Sequence, residues 1–299
     1  MKLAEISDIE LDEGPFDSGA FTFTKLHGNG NDFILINEIH KEIVPEQMKG
    51  RFAIRCCRRN FGIGGDGVLF LTPSSRAEIG MRLLQPDGSE AEMCGNGIRC
   101  LAKYAFEAGY VGQSFCVETL AGIIPVQVRE MDNCFWARVD MGIPKFDRPS
   151  IPATGSGEFI MEQLEGCQVS AVNTGVPHCI IFVEDLDIPI EEIAPIIRHS
   201  SVFPEGINVN FVKAGDPFEI RTFERGVEGE TLSCGTGAVA SATVAHKLGL
   251  ISDEVLVETR GGPVIIYFQR DHVYMEGPAV TVYTGELSDE YRWSLSQEL

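Results

Sequence analysis

The chain lacks the features of a protein that binds nucleic acid or spans a membrane. Its 24 Lys and Arg stand against 44 Asp and Glu, a formal net charge of −20, and such an excess of acid disfavours contact with nucleic acid or anionic lipid. No apolar run approaches the roughly 18 residues of a membrane-spanning helix. We therefore expect no nucleic-acid partner and no membrane partner.

The first 20 residues also lack a basic start and an apolar core, so they do not resemble a secretory signal peptide. They carry six acids and one lysine, a composition that does not favour burial. We expect residues 1–20 to form a flexible acidic leader.

Disulfide and metal-site patterns are absent as well. Nine cysteines, an odd number in a chain of 299 residues, fit a reducing cytoplasm better than a disulfide framework. There is no Cys-x-x-Cys, and neither Cys56-Cys57 nor the pair Cys94 and Cys100 has zinc-finger spacing or a histidine cluster beside it. We expect a cytoplasmic protein without a metal site, in which most cysteines are buried as small apolar side chains.

One glycine-rich stretch has the letters of a nucleotide-binding motif without its context. Residues Gly62 to Gly67 read G-I-G-G-D-G, a formal match to G-x-G-x-x-G. That motif binds a dinucleotide when it follows a strand and opens a helix. Here it precedes Val68 to Leu71, which predicts a strand, so we expect no nucleotide cofactor.

What the chain does contain is a long internal repeat. Cys94 and Cys234 each precede Gly-x-Gly, and each is followed by sequence typical of a helix, predicted over Leu101 to Ala108 and Ala238 to Leu248. Aligning the two cysteines also aligns Gly109 with Gly249 without a gap. A repeat of this length indicates a duplicated domain, and a chain of 299 residues is long enough for about two domains.

Hydrophobic alternation and turn residues predict that each half is rich in strands around one central helix. Further helices are predicted over Pro45 to Arg58 and Ile188 to Ser200. The segment from Gly142 to Gly157 is rich in proline and glycine, which is typical of a linker between domains.

Two cysteines at equivalent helix starts indicate proton chemistry. Unpaired N–H groups and the helix dipole favour negative charge at a helix N-terminus, so we expect both thiols to have lowered pKa values. Glycines on either side let backbone N–H groups approach a bound carboxylate. If the two helix ends face each other, one thiolate can remove an α-proton while the opposite thiol returns a proton to the other face. This chemistry needs no cofactor.

Other interpretations of the two cysteines stay open at this point. They could form a redox dithiol pair, although the usual Cys-x-x-Cys is missing. They could also belong to a protein that binds an amino acid without changing it.

The sequence resembles the diaminopimelate epimerase family. The resemblance lies in six stretches spread over roughly residues 21–285: HGNGNDF (27–33), FGIGGDG (61–67), DGSEAEMCGNGIR (87–99), Pro177-His178, 206–208, and ERGVEGETLSCGTG (224–237). It implies an α/β fold of two pseudo-symmetric domains, each a barrel-like mixed sheet around a central helix, with the active site in the cleft between them.

The resemblance also implies roles for particular residues. Cys94 and Cys234 would be the catalytic acid/base pair, and His178 would support the site near the reacting centre. The residues expected to bind substrate are Asn31, Gln85, Gly95, Asn96, Asn208, Glu224, Arg225, Gly235 and Thr236.

Three positions depart from the pattern of the family. Gln85 and Val176 stand where asparagine is common, and Gly67 stands where many members have glutamine. Gln85 still offers an amide that can donate a hydrogen bond, whereas Val176 cannot. These departures concern contacts to the distal end of the substrate.

The sequence therefore predicts an epimerase that interconverts LL- and meso-diaminopimelate for lysine or cell-wall precursor synthesis. Another two-cysteine amino-acid racemase and a non-catalytic amino-acid-binding protein are the alternatives, and a homodimer is possible. The predicted first domain comprises residues 21–141 with a returning strand at 276–285. The second comprises residues 142–275, and residues 286–299 form a C-terminal tail.

Overall fold

The computed structural model describes residues 21–131 and 134–296, so the predicted leader at 1–20 lies outside the described residues. The first half is built from eight strands and two helices. The strands are β1 (Thr22–Gly28), β2 (Asn31–Asn37), β3 (Gly67–Thr72), β4 (Ile79–Leu84), β5 (Glu90–Ala91), β6 (Ser114–Thr119), β7 (Gly122–Met131) and β8 (Cys134–Asp140). The helices are α1 (Lys49–Cys56), preceded by a 3-10 turn at Glu46–Met48, and α2 (Gly95–Glu107).

The second half is also built mainly from strands. Its strands are β9 (Glu162–Leu164), β10 (Cys167–Asn173), β11 (Pro177–Phe182), β12 (Asn208–Lys213), β13 (Phe218–Glu224), β14 (Gly229–Thr231), β15 (Glu254–Thr259), β16 (Gly262–Gln269) and β17 (His272–Pro278). Its helices are α3 (Ile190–Arg198) and α4 (Gly235–Lys247). The chain continues into β18 (Val280–Glu286) and α5 (Asp289–Ser296).

The two halves repeat one order of strand pairing. In the first half β2 is parallel to β3 and β4 is parallel to β6, while β3–β4, β6–β7 and β7–β8 are antiparallel. In the second half β11–β12 and β13–β15 are the parallel pairs, and β12–β13, β15–β16 and β16–β17 are antiparallel. The repeat in the sequence is therefore a repeat of structure.

Each half has a helix at its centre. Helix α2 packs against β1, β2 and β8, and α4 packs against β10, β11 and β17. Apolar side chains such as Ile98 and Leu101 of α2 and Val239 and Val244 of α4 are fully buried in a shared core. Helices α1 and α5 cover the outer face of the first half, and α3 covers that of the second. The predicted fold class, an α/β arrangement of two similar halves around central helices, is confirmed.

The two halves are joined by strands that pair across them. Strand β17 is antiparallel to β8, and β18 crosses back to pair with β1, with Lys25 opposite Tyr283. The predicted tail contains α5, which packs on α1 through a hydrogen bond from Tyr291 Oη to the Arg55 carbonyl (3.2 Å). This pairing across the halves holds the central helices in a fixed relation.

The central helices begin directly after Cys94 and Cys234, which confirms that both cysteines lie at helix starts, although the helical ranges predicted from residues 101 and 238 begin too late. Glycine has low helix propensity, so the sequence favoured a start after Gly-x-Gly. The structure needs glycine there because other atoms approach closely. A Cβ at Gly95 would stand 2.6 Å from Cε of Met275, and one at Gly237 would stand 2.5 Å from Oδ1 of Asn210.

Candidate active site

The N-termini of the two central helices face each other. Cys94 and Cys234 are the N-cap residues of α2 and α4 and have extended backbone conformations. Helices α2 and α4 contact each other, and the thioether of Met275 lies against both Gly95 and Gly235. The free N–H groups of both helix starts therefore point toward one shared region.

Cys94 lies among polar groups of the first half. Its sulfur accepts a hydrogen bond from the Gly97 N–H (3.4 Å), and its thiol donates to Oδ1 of Asn31 (3.8 Å). Burial raises the pKa of the Cys94 thiol, while the N–H groups of Gly97 and Asn96 oppose that rise.

Cys234 has a different set of neighbours. It is buried, and its sulfur lies 3.5 Å from the Thr236 hydroxyl. Burial and then the negative charge of Glu224 raise the pKa of the Cys234 thiol well above its ordinary value. Burial also raises the pKa of Glu224, which hydrogen-bonds to Thr231 and Cys234.

The expectation of lowered thiol pKa values is wrong for both cysteines. Helix-end N–H groups do favour the thiolate, as expected, but the desolvation of a buried sulfur is the larger effect at each site. Both shifts favour the thiol over the thiolate, so a neighbouring group that accepts the proton would help either cysteine to act as a base.

His178 is fully buried and oriented by Asn210. Nδ2 of Asn210 lies 3.0 Å from Nδ1 of His178 and 3.0 Å from the Cys179 carbonyl, while its Oδ1 accepts from Thr222 Oγ1 (2.9 Å). Since an amide nitrogen only donates, Nδ1 accepts and the proton is on Nε2. Burial, followed by the charge of Arg225, lowers the pKa of His178 to about 3, so the ring is neutral.

The neutral His178 ring reaches the second cysteine through a hydroxyl. Nε2 of His178 lies 2.9 Å from Oγ1 of Thr236, and with its proton on Nε2 the ring donates this hydrogen bond. The Thr236 hydroxyl is then free to donate its own proton to Cys234. His178 therefore lies beside the site, as expected, but behind Thr236.

Asn31 and Asn96 join the two halves at the site. Nδ2 of Asn96 donates to Oδ1 of Asn31 (3.2 Å) and to the carbonyl of Ser233 (3.3 Å), the residue before Cys234. The Asn96 amide thus contacts both Asn31, which lies beside Cys94 in the first half, and the backbone that leads into α4 of the second half.

The residues expected to bind the distal end of the substrate are held mainly by hydrogen bonds to nearby backbone groups. Asn208 accepts from the Arg225 N–H (2.8 Å) and donates to the Pro177 carbonyl (2.9 Å). The Arg225 guanidinium donates to the Glu205 carbonyl (3.3 Å). Asn208 and Arg225 therefore adjoin the strand pair that carries His178.

The three departures from the family pattern lie in turns or at strand ends. Gln85 is exposed in the turn after β4 and donates to Ser89 Oγ (2.9 Å). Val176 lies in the turn before β11, and its carbonyl accepts from Thr174. Gly67 opens β3, where a Cβ would stand 2.8 Å from Cδ1 of Leu83, so a larger residue would require that side chain to move.

Sequence reasoning missed several residues that orient the site. Asp66 holds Asn31 (2.7 Å), Arg99 holds Asn96 (2.8 Å), and Asn210 holds His178. Asp66 lies in the glycine-rich stretch 61–67, which matches the family pattern but gives Asp66 no role of its own. Asn210 had a usable signal, because it is a buried polar residue inside the apolar strand β12 and such groups must be hydrogen-bonded.

Comparison with known proteins agrees with this geometry. The model of the diaminopimelate epimerase family matches residues 23–146 and 170–282. The chain belongs to the diaminopimelate epimerase family. A diaminopimelate epimerase of Methanothrix thermoacetophila is 67% identical over 268 residues, covering 90% of this chain and 96% of the relative. One of Methanocella arvoryzae is 53% identical over 273 residues, covering 90% and 97%.

Solved structures share the fold of the diaminopimelate epimerase family at low identity. A phenazine biosynthesis protein of the PhzF family from Bacillus anthracis superposes with a TM-score of 0.68 at 20% identity, covering 90% of this chain and 99% of that one. A hydroxyproline epimerase of Agrobacterium vitis superposes with a TM-score of 0.63 at 17% identity, covering 90% and 91%. At these identities the likeness shows the fold alone.

In the described part of the chain, no helix has the length and apolar character needed to cross a membrane. Among those same residues, no group of three or more His, Cys, Asp or Glu side chains is arranged to hold a metal ion.

Proposed function

We propose that this chain is a cofactor-independent epimerase that interconverts LL- and meso-diaminopimelate by proton transfer at one α-carbon. The observation that carries the proposal is the meeting of two helix N-termini, each capped by a cysteine, around Met275. An α-carbon held between the two sulfurs would be open to a base on one face and an acid on the other. The high identity to proteins named diaminopimelate epimerase supports this substrate over another amino acid.

In one direction of the reaction, Glu224 accepts the proton of Cys234. Glu224 is adjacent to this thiol and largely shielded from water, so transfer between the two does not require charge to be moved to solvent. The Cys234 thiolate then removes the α-proton, and Cys94 returns its thiol proton to the opposite face. In the reverse direction the two sulfurs exchange roles, as microscopic reversibility requires.

The helix starts stabilise the charge that develops during proton removal. The α-carboxylate would accept hydrogen bonds from backbone N–H groups at Gly95, Asn96, Gly235 and Thr236, and the dipoles of α2 and α4 favour its negative charge. Because these donors are fixed by the helices, they need no reorganisation in the transition state.

Groups beside β11 and β12 are suited to the distal amino-carboxylate. Arg225 offers a planar guanidinium that can bind a carboxylate with two parallel hydrogen bonds. Asn208 lies against it, with its amide oxygen on the Arg225 N–H. We assign the distal end of diaminopimelate to this side of the site.

The test is incubation with LL-diaminopimelate in deuterated water, with α-carbon label and stereochemistry followed by NMR. We expect label at one α-carbon together with appearance of the meso isomer, and neither with Cys234→Ala. Exchange on monocentric amino acids instead would favour a generic racemase. Tight binding without exchange would favour a binding protein, and either result would overturn the proposal.

We also propose a cytoplasmic location and a homodimer. The substrate class is a small molecule, and the odd number of cysteines supports a reducing cytoplasm as the location. A homodimer would be tested by light scattering of the purified chain.

A further inference from the structure

Four side chains form a continuous row of hydrogen bonds beside Cys94. Arg99 Nη2 donates to Asn96 Oδ1 (2.8 Å), Asn96 Nδ2 donates to Asn31 Oδ1 (3.2 Å), and Asn31 Nδ2 donates to Asp66 Oδ2 (2.7 Å). The row has a cation at one end, a carboxylate at the other, and two amides between them.

The row allows only one orientation of each amide. A guanidinium has donors and no acceptor, so the atom of Asn96 that faces Arg99 must be the oxygen. The Asn96 nitrogen then faces two acceptors, the Ser233 carbonyl and Asn31. Asn31 must therefore present its oxygen to Asn96 and its nitrogen to the ionised carboxylate of Asp66, which only accepts.

The carboxylate end of the row is held in place by further hydrogen bonds. Asp66 Oδ1 accepts from Arg59 (2.7 Å) and Asp66 Oδ2 from the Asp32 N–H (3.1 Å). Although burial opposes it, hydrogen bonds from Arg59 and Lys25 lower the pKa of Asp32 to about 2, so Asp32 keeps Arg59 paired. Asp66 therefore cannot turn away from Asn31 without breaking this cluster.

Arg99 is unusual because it is completely buried. Within the described part of the chain it has no carboxylate partner, and its Nε and Nη1 atoms have no hydrogen-bond partner. Its Nη2 donates to Asn29 (2.7 Å) as well as Asn96. A buried charge of this kind is costly, which indicates a role beyond stability.

We propose that Asp66 and Arg99 are positioning residues that fix the amides of Asn31 and Asn96, so that Asn31 Oδ1 faces the thiol of Cys94. This inference rests on the proposed function for its importance, but not for its geometry. It also gives a role to the glycine-rich stretch Gly62 to Gly67, whose turn carries Asp66 to Asn31.

The orientation matters because the two ends of an amide act oppositely on a thiol. An oxygen accepts the S–H proton and favours the neutral thiol, the form that must return a proton to the α-carbon. A turned amide would direct N–H at the sulfur and favour the thiolate. Loss of Asp66 should therefore lower the pH at which Cys94 ionises.

The test is the pH dependence of Cys94 alkylation by iodoacetamide, followed by mass spectrometry of the Cys94 peptide. Asp66→Asn leaves one acceptor atom where the carboxylate had two, so Arg59 and Asn31 compete for it. We expect the pH midpoint of Cys94 alkylation to fall by about 0.5 pH units or more in Asp66→Asn, and to fall further in Asp66→Ala. Glu162→Gln, which removes a carboxylate from the remote pair with Arg148, should leave the midpoint unchanged.

A second background separates positioning from simple loss of charge. If Asp66 acts through Asn31, then Asp66→Asn in an Asn31→Ala background should cause no further shift. The same shift in both backgrounds, or no shift in Asp66→Asn, would overturn the inference. Because alkylation needs no turnover, this result is independent of whether diaminopimelate is the substrate.

The Arg99 end is tested through turnover. Arg99→Lys keeps the charge and should retain part of kcat, whereas Arg99→Met should lower kcat with little change in KM. Circular dichroism identifies the folded variants. Equal losses in folded Arg99→Lys and Arg99→Met, or a change confined to KM, would contradict positioning by a charged donor.

Discussion

At the scale of single residues, the two cysteines occupy matching backbone positions but have unlike partners. Cys94 is next to a neutral amide, Asn31, whereas Cys234 is next to the carboxyl group of Glu224. The two motifs also differ in sequence, since Asn96 lies between the glycines after the first cysteine and Thr236 between those after the second. Under the proposed mechanism, Cys234 therefore has a carboxyl group beside it that can accept its proton, whereas Cys94 has only an amide oxygen that accepts a hydrogen bond from its thiol.

Replacing either cysteine should abolish most turnover. We expect Cys94→Ala and Cys234→Ala to lower kcat by about 10² to 10⁴, the usual contribution of an acid or base, because neither sulfur can reach the opposite face. Cys167→Ala, at the start of β10, is the matched control and should be nearly silent. Normal turnover in Cys94→Ala would contradict the two-base mechanism.

Glu224 should set the acid limb of the pH profile. It accepts a proton only when ionised, and its pKa is raised by burial, so kcat/KM should fall as the pH is lowered through a midpoint above the ordinary value of about 4.3. Glu224→Gln should lower kcat and remove this limb. Glu228→Gln, an exposed carboxylate of the same loop, should keep the wild-type profile. An unchanged limb in Glu224→Gln would assign it to another group.

At the scale of elements, the sequence predicted the two central helices and most strands from periodicity. It placed both cysteines at helix starts but began the helical ranges too late, because glycine propensity says nothing about the close approach of Met275 and Asn210. It also missed the short strands β5 and β14, whose two or three residues are too few to show alternation.

The site was predictable only where chemistry is local to a motif. Cys94 and Cys234 could be found because each helix start is written in consecutive residues. Asp66, Arg99 and Asn210 could not be assigned in this way, because their partners are distant in sequence and meet only after the sheet has formed. The roles of these residues follow from their burial and hydrogen bonds, and the hydrophobic periodicity of the sequence predicts neither.

Because the helix ends meet, we expect the site to be sensitive to oxidation. All nine cysteines are free in this structure. If the sulfurs of Cys94 and Cys234 flank one substrate carbon, as proposed, small movements should bring them into bonding distance when the site is empty, since a disulfide requires Cα atoms within about 7 Å. Mild oxidation should inactivate the enzyme, and a thiol reductant should restore it. Peptide mapping should find Cys94 linked to Cys234. Full activity with that bond present would contradict the catalytic assignment.

At the scale of the whole molecule, the site exists only because both halves are held together. Asn29 of the first half donates to the Pro263 carbonyl of the second (3.0 Å), and a Cβ at Gly277 would stand 2.2 Å from Arg99 Nη1. With strands β8–β17 and β1–β18 paired, the helix starts that carry the two cysteines are held in a fixed relation. Under the proposed mechanism, the fold therefore determines the stereochemistry, and the distal groups determine the choice of substrate.

Substrate choice should follow from Arg225. Lysine has the length of diaminopimelate but lacks its second carboxylate, so binding it would leave the guanidinium desolvated without a charged partner. A site built for polar contacts can reject such an analogue by about 10⁴ or more. We expect LL- and meso-diaminopimelate to react, the DD isomer poorly and lysine hardly at all.

Arg225→Ala should raise KM and lower kcat/KM, because binding at the distal end also positions the reacting carbon. The control is Arg260→Ala, an exposed arginine that pairs with Glu230 (2.8 Å) and should not change the ratio of rates on meso-diaminopimelate and lysine. Chiral chromatography of the products measures both rates. Comparable rates on the two substrates in the wild-type chain would place recognition elsewhere and favour a generic racemase, since two cysteines at two helix ends are sufficient to invert a centre but not to select its distal group.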